Sequence, residues 1–217
     1  MKKTVAKEFD DLFIRYPQLL SCKQDILNAY NLLIKTYDSN HKLLIAGNGG
    51  SAADSEHMAG ELMKRFELSR PIDKKLRDRL IKIDNKRGNK LANNLEKPLR
   101  AVPLTSHIAL TTAYMNDADA AGVFAQQMLG FADKDDAFLA ISTSGNSENI
   151  INACIVAKAL GVKIIGLSGK KESELSKIAD ICIKVPESQT FKIQELHLPI
   201  YHCLCLMLEK HYFGDKV

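Results

Sequence analysis

The sequence has no CxxC pair, no run of about 18 apolar residues and no GxxxxGK[ST] phosphate loop. Each absence excludes something. The five cysteines, Cys22, Cys154, Cys182, Cys203 and Cys205, are odd in number and scattered. They argue against a disulfide framework and for reduced, mostly buried thiols in a cytoplasmic protein. No apolar stretch is long enough to predict a membrane span, and the basic start MKKTVAKEFDDLF lacks the apolar run of a signal peptide. Gly47, Gly49 and Gly50 match only the first half of GxGxxG, and no ribose-binding acid follows at the right distance, so a nucleotide is not implied.

What is present fits one globular domain over residues 1–217, with 46% hydrophobic and 26% charged side chains. Residues 1–38 hold two helical patterns with no strand between them, suited to packing on the core or on another subunit. From residue 42 onward, short apolar runs alternate with helical stretches. Strands are expected at 42–46, 101–104, 137–142, 162–168 and 181–185, and helices at 51–66, 107–116, 120–130, 148–160, 172–179 and 190–212. This alternation predicts an α/β fold, a doubly wound five-stranded parallel sheet flanked by helices.

Charge is unevenly placed. Residues 67–100 carry +6 of formal charge, leaving −2 for the rest of a chain whose net is +4. One short helix is expected there, at 74–83, followed by a polar, Asn-rich continuation. The segment reads as a solvated basic insertion peripheral to the chemistry; the other reading is an electrostatic surface for an acidic partner.

Two polar loops follow strands. GNGGS (47–51) follows the first, and STSGNS (142–147) follows the 137–142 run. In a doubly wound sheet, ligands bind beyond the carboxyl ends of the strands. Glycines let backbone approach a ligand closely. The hydroxyls of Ser142, Thr143, Ser144 and Ser147 can donate to phosphate oxygens, and the helix that follows presents N–H groups and a positive dipole end. Together the loops predict a phosphate site.

His57 and Glu61 are four residues apart, so they share a face of the helix that leaves the glycine loop. That spacing can bring an imidazole and a carboxylate to one ion or one substrate, or simply make an exposed helical pair. The last helix carries QELHLPIYH, with Gln194, His197, Pro199 and His202. By themselves its histidines read as partly buried, hydrogen-bonded residues.

GNGGSAADSEHMAGEL, AISTSGNSENI and KIQELHLPIYH, in this order and spacing, resemble the sugar isomerase (SIS) domain family, and within it the phosphoheptose isomerases. The likeness spans most of the chain outside 67–100. It implies an aldose–ketose isomerase that converts sedoheptulose 7-phosphate to D-glycero-D-manno-heptose 7-phosphate, at the entry to bacterial heptose synthesis. It also implies a homotetramer with active sites at subunit interfaces, and zinc. Carried over by motif, the zinc ligands would be His57, Glu61, Gln194 and His202. Glu61 and His202 would be the acid/base pair. Ser142, Ser144 and Ser147 would hold the phosphate, Asn48 and Ser51 would line the sugar, and Thr143 would lie near the reacting end. Such chemistry needs a base, an acid and stabilisation of an enediolate.

Three points bear on this expectation. In a straight helix, residues i and i+8 stand about 12 Å apart along the axis and about 80° apart around it. Gln194 and His202 therefore share one ion only if Pro199 kinks the helix, if Gln194 precedes its regular part, or if subunits combine. His107 stands where an acidic or amide residue is expected near the sugar, and the 67–100 insertion is longer and more basic than the family pattern; both bear on the substrate. The alternative class is a non-catalytic SIS protein, either a sugar-phosphate binder or a replication-initiator-associating protein. The presence of all four residues His57, Glu61, Gln194 and His202 favours the enzyme. No helix-turn-helix pattern precedes the SIS segment, so no nucleic-acid partner is expected.

Overall fold

The computed structural model describes residues 1–214. Its centre is a five-stranded sheet of β1 (Leu43–Ala46), β2 (Ala101–Pro103), β3 (Ala137–Ile141), β4 (Lys163–Ser168) and β5 (Ile181–Lys184). All neighbours pair in parallel, in the order β2-β1-β3-β4-β5. Every residue of β1 and β3 is buried, as expected when helices cover both faces.

The strands feed two cores by the alternation of their side chains. Leu43, Ile45, Leu139 and Ile141 enter one core with α1 (Lys3–Arg15), α2 (Lys23–Asp38), α3 (Gly50–Met63) and α10 (Thr190–Phe213). Leu44, Ala46, Phe138 and Ala140 enter the other, with α7 (Val123–Phe131), α8 (Glu148–Ala159) and α9 (Glu174–Ile178). The two N-terminal helices are thus absorbed by the chain's own core: Val5, Phe9 and Leu12 of α1 and Ile26, Ala29 and Leu33 of α2 are buried there.

β1 has β2 on one side and β3 on the other, so the winding reverses between β1 and β3. A crevice is expected at the carboxyl ends of the strands at such a point. The loops 47–49 and 142–147 leave β1 and β3 there.

The expected elements are found with small shifts. The second of the two N-terminal helical patterns divides into a 3₁₀ segment at Pro17–Cys22 and α2, and the 120–130 pattern begins as 3₁₀ at Ala120–Gly122 before α7. The basic insertion departs more. Besides α4 (Lys74–Ile83), its polar continuation forms a second helix, α5 (Asn85–Asn94). Asp73 and Asp84 cap them, accepting from Leu76 and Arg87 N–H at 2.8 and 2.7 Å. Gly88 lets α5 come against the Leu80 carbonyl of α4, where a Cβ would collide. Ten of the eleven Lys/Arg in 67–100 are exposed, as a solvated insertion requires, but Arg70 is fully buried.

Candidate active site

The glycine loop meets the first turn of α8 across the crevice through reciprocal amide bonds. Asn48 and Asn149 each donate Nδ2 to the other's Oδ1 at 2.9 Å. Behind this clasp lies a cavity of about 300 Å³ lined by Asn48, Ser51, Ser142, Thr143, Ser147 and Gln194, with Thr190 at its edge. That volume suits a small ligand. Ser147 is the N-cap of α8, yet its hydroxyl caps no N–H of its own helix and instead meets Ser142 Oγ at 2.9 Å. The helix N-terminus and its hydroxyls are left facing the crevice, which is anion-binding geometry. Ser144 does not line this cavity. It faces a neighbouring one of about 260 Å³ with Lys170 and Lys171, and Thr143 lines both.

Gln194 belongs to the loop end because α10 passes close over the glycine turn. A Cβ on Gly50 would come within 2.7 Å of Gln194 Nε2, so the amide end of Gln194 lies directly against the turn. α10 is continuous through Pro199, so Gln194 and His202 stand in one helix. One of the three ways of joining them is thereby answered: Gln194 lies inside the helix and does not precede it.

At the other end of α3, Asp54, His57 and Glu61 follow one face at i, i+3 and i+7. His57 Nε2 is 3.6 Å from Glu61 Oε1, too long for a hydrogen bond, and Lys64 Nζ donates to Glu61 Oε2 at 3.0 Å. Tyr201 of α10 donates to Asp54 Oδ1 at 3.2 Å and meets His57 Nδ1 at 3.0 Å. A hydroxyl has one proton, so Nδ1 must be the donor to it, which leaves Nε2 on the side of the carboxylate. Burial raises the Asp54 carboxyl, opposed by Tyr201 and His57, and burial followed by the Asp54 charge raises the Tyr201 hydroxyl.

His202 stands across from this face, its ring 4.9 Å from that of His57 and nearly perpendicular to it. Its Nε2 is buried without a partner. Burial and then the neighbouring His57 push its pKa down against the pull of Glu61, which favours neutral imidazole near pH 7. His197, one turn earlier on α10, is fully buried. Burial holds it down to about 4, opposed by the Ser168 backbone, and it is a neutral core residue.

The structure therefore unites the expected residues in two groups. Asn48, Ser51, Ser142, Thr143, Ser147 and Gln194 form the loop group; His57, Glu61 and His202 form the helix group. Asp54, Tyr201 and Asn149 were not foreseen. Asp54 could have been found from its place on the His57–Glu61 face. His107 is turned to its own fold, with Nδ1 2.9 Å from Gln127 Oε1 and its ring stacked on Phe131.

Two imidazoles and a carboxylate are donors of the kind zinc takes, and the partnerless His202 Nε2 fits a missing ligand. Gln194 does not join them. Among the described residues no three His, Cys, Asp or Glu side chains are placed to hold a metal ion. The expected four-ligand zinc site does not fit within one chain.

The sequence profile of the family described as SIS domain matches residues 100–206. A phosphoheptose isomerase of Sulfurimonas denitrificans is 34% identical over the whole length of both chains. Phosphoheptose isomerase 2 of Campylobacter jejuni is 37% identical over 87% of this chain and 81% of that protein. The chain belongs to the phosphoheptose isomerase family. The solved phosphoheptose isomerase of Francisella tularensis superposes with a TM-score of 0.71 at 27% identity, covering 93% of this chain and 97% of that one. The enzyme from Neisseria gonorrhoeae gives 0.67 at 26% identity, covering 90% and 95%. Membership extends beyond the matched SIS segment, since the full-length relative also spans the N-terminal helices and α3.

Proposed function

We propose that this chain is an aldose–ketose isomerase acting on sedoheptulose 7-phosphate and forming D-glycero-D-manno-heptose 7-phosphate. The observation that carries the reading is the approach of His202, its Nε2 buried and partnerless, to the His57–Glu61 pair, on two helices that also frame a hydroxyl-lined cavity. The phosphate occupies the N-terminus of α8 against Ser142 and Ser147. Glu61 removes the C1 proton beside the C2 carbonyl and returns it to C2. His202, neutral at pH 7, hydrogen-bonds the carbonyl oxygen as it gains charge and exchanges protons between the C1 and C2 oxygens. The non-catalytic alternative has no use for this pair.

The helix rise of about 12 Å between Gln194 and His202 supports a composite site, in which the loop group of one copy faces the helix group of another. α6 (Ile108–Asp117) has no buried residue and exposes Ile108, Leu110 and Met115, which suits a further copy covering it in a homotetramer. Zinc is a separate proposal resting on the donor types of His57, Glu61 and His202; metal analysis finding active enzyme free of zinc removes it. A cytoplasmic location rests on the five free thiols, four of them buried. Among the described residues no helix is long and apolar enough to cross a membrane.

The deciding assay is isomerisation of sedoheptulose 7-phosphate with exchange of the C1 proton followed in deuterated water. Absence of exchange by the unaltered protein overturns the reading. Mixing two variants, one weakened in affinity at Ser142 and Ser147 and one inactive at Glu61, restores activity at low substrate concentration if the site is composite; no recovery in mixed oligomers places both groups in one chain.

A further inference from the structure

The buried member of the basic insertion has an unusual setting. Arg70 and Glu209 both have fully buried side chains and pair at 2.7 Å from Nη2 to Oε1. Glu209 Oε1 also accepts from Arg70 Nε and the Phe66 N–H, each at 2.8 Å. Its Oε2 accepts from the N–H groups of Glu67 and Leu68 at 2.8 and 3.0 Å. Burial alone would raise this carboxyl; the three backbone donors and Arg70 outweigh it and hold it below the usual range.

The other side of the guanidinium turns to α3. A helix leaves its last four carbonyls without intrahelical partners. α3 ends at Met63, and Arg70 donates Nη1 to the Leu62 carbonyl at 2.8 Å and Nη2 to the Glu61 carbonyl at 3.3 Å. A cation there also complements the helix dipole. Its guanidinium lies over the Phe213 ring, 5.0 Å from the centroid. Glu209 is seven residues beyond His202 on α10, two turns along nearly the same face.

The pair therefore joins the backbone of Glu61 to the helix that carries His202. A buried ion pair is poor value as a stabiliser, because desolvation offsets much of its attraction and apolar replacements are often neutral. What it does supply is a fixed geometry, through planar, forked donors. We propose that Arg70 and Glu209 are positioning residues that set Glu61 against His202. This rests on the reading of that pair as the proton-transfer site.

The test is steady-state kinetics on the full-length protein with sedoheptulose 7-phosphate, with folding followed by circular dichroism. Arg70→Lys keeps the charge but cannot serve two carbonyls and a carboxylate at once. Arg70→Met/Glu209→Leu replaces the pair with apolar groups. Misplacement of a catalytic group by about 1 Å can cost about a hundredfold. The expected result is a kcat lowered about ten- to a hundredfold in either variant, with KM within about threefold and the protein folded. In a Glu61→Gln background Arg70→Lys should have almost no further effect, because the group it positions is gone; a merely structural residue would still lower the residual rate by the same factor. A folded variant with wild-type kcat overturns the proposal, as does an undiminished Arg70→Lys effect on top of Glu61→Gln. Loss of the fold in both variants also overturns it, making the pair a folding requirement. Full activity of Glu61→Gln alone removes the underlying site and this inference with it, whereas failure at Arg70 alone leaves the site standing.

Discussion

Gln194 and His202 sit on the same helix, and their surroundings are built in opposite ways. Around Gln194 the groups come from short segments. Two loops, each leaving a buried strand, bring five polar residues to one cavity, which the Asn48–Asn149 clasp joins and Gln194 of α10 completes. Around His202 almost every contact is long-range. His57, Tyr201 and Asp54 meet across two helices, and Arg70 reaches both from beyond the end of α3. A binding cradle can be made from backbone shape and hydroxyls. Placing a base against an acid takes side chains fixed from several sides.

The difference is broken most sharply at Glu61. Glu61→Gln keeps the shape and removes the base, so kcat should fall at least ~10²–10⁴-fold, the usual worth of acid–base catalysis. His202→Asn should behave alike. Substrate binding should hardly change, because the loop group is untouched. If the loss shows instead as a lowered melting temperature, the pair is structural.

The complementary change falls on the loops. Ser142→Ala/Ser147→Ala removes two donors at a helix N-terminus, each charge-assisted bond being worth roughly 1.5–3 kcal/mol. Affinity for a sugar phosphate should weaken well over tenfold, with proton exchange in the saturated enzyme little altered. Unchanged affinity, measured by calorimetry, would move the phosphate toward Ser144, Lys170 and Lys171 in the adjoining cavity.

The same contrast governs what the sequence made legible. The sheet, its winding and the loop group follow from short apolar runs and their punctuation, which are local signals. Gln194's place at the loop end was not legible, because it depends on how α10 crosses Gly50. Arg70 was read as one more solvated charge in a basic stretch. Nothing near it in sequence marks its partner, which lies 139 residues away. α5 was missed because its Asn-rich sequence has low helix propensity, and the Asp84 cap with packing on α4 decides the matter.

A third effect is one of acid. His197 has a pKa of about 4 in the fold against 6.5 ordinarily. Between those values the unfolded chain binds more protons than the folded one, so stability falls as pH falls. The contribution present above about pH 6.5 and lost by about pH 4 is on the order of 3 kcal/mol. His202 is shifted in the same direction. Urea midpoints at pH 7.5 and pH 5 should therefore differ more in the unaltered protein than in His197→Leu. Equal differences would mean that other groups carry the acid sensitivity.

The smallest effect is expected where charge is densest. The α4–α5 hairpin has no buried side chain in α4 and only Gly88 and Ala92 buried in α5. Its two ends are already closed beneath it: Pro71 and Glu96 form an antiparallel bridge, Lys97 N–H donates to the Arg70 carbonyl at 2.6 Å, and Glu96 Oε2 accepts from Arg65 N–H at 2.8 Å. Replacing residues 74–94 with a short glycine-containing turn leaves that stem, Arg70 and the loop group in place. Closing a short loop over a preformed stem costs little, since loop entropy changes slowly with length. Turnover should stay within about threefold of the full chain, and melting temperature should fall by only a few degrees. A deletion extended back to residue 70 removes the guanidinium from Glu209 and from the end of α3, leaving a buried carboxylate with no cation; such uncompensated charges cost roughly 3–5 kcal/mol. The two deletions differ by four residues at the start and three at the end if the longer one runs to 97. If both are equally active, the stem carries nothing. If both are equally dead while folded, a basic side chain of the hairpin reaches the substrate, and the exposed charge that reads as solvated belongs to the site.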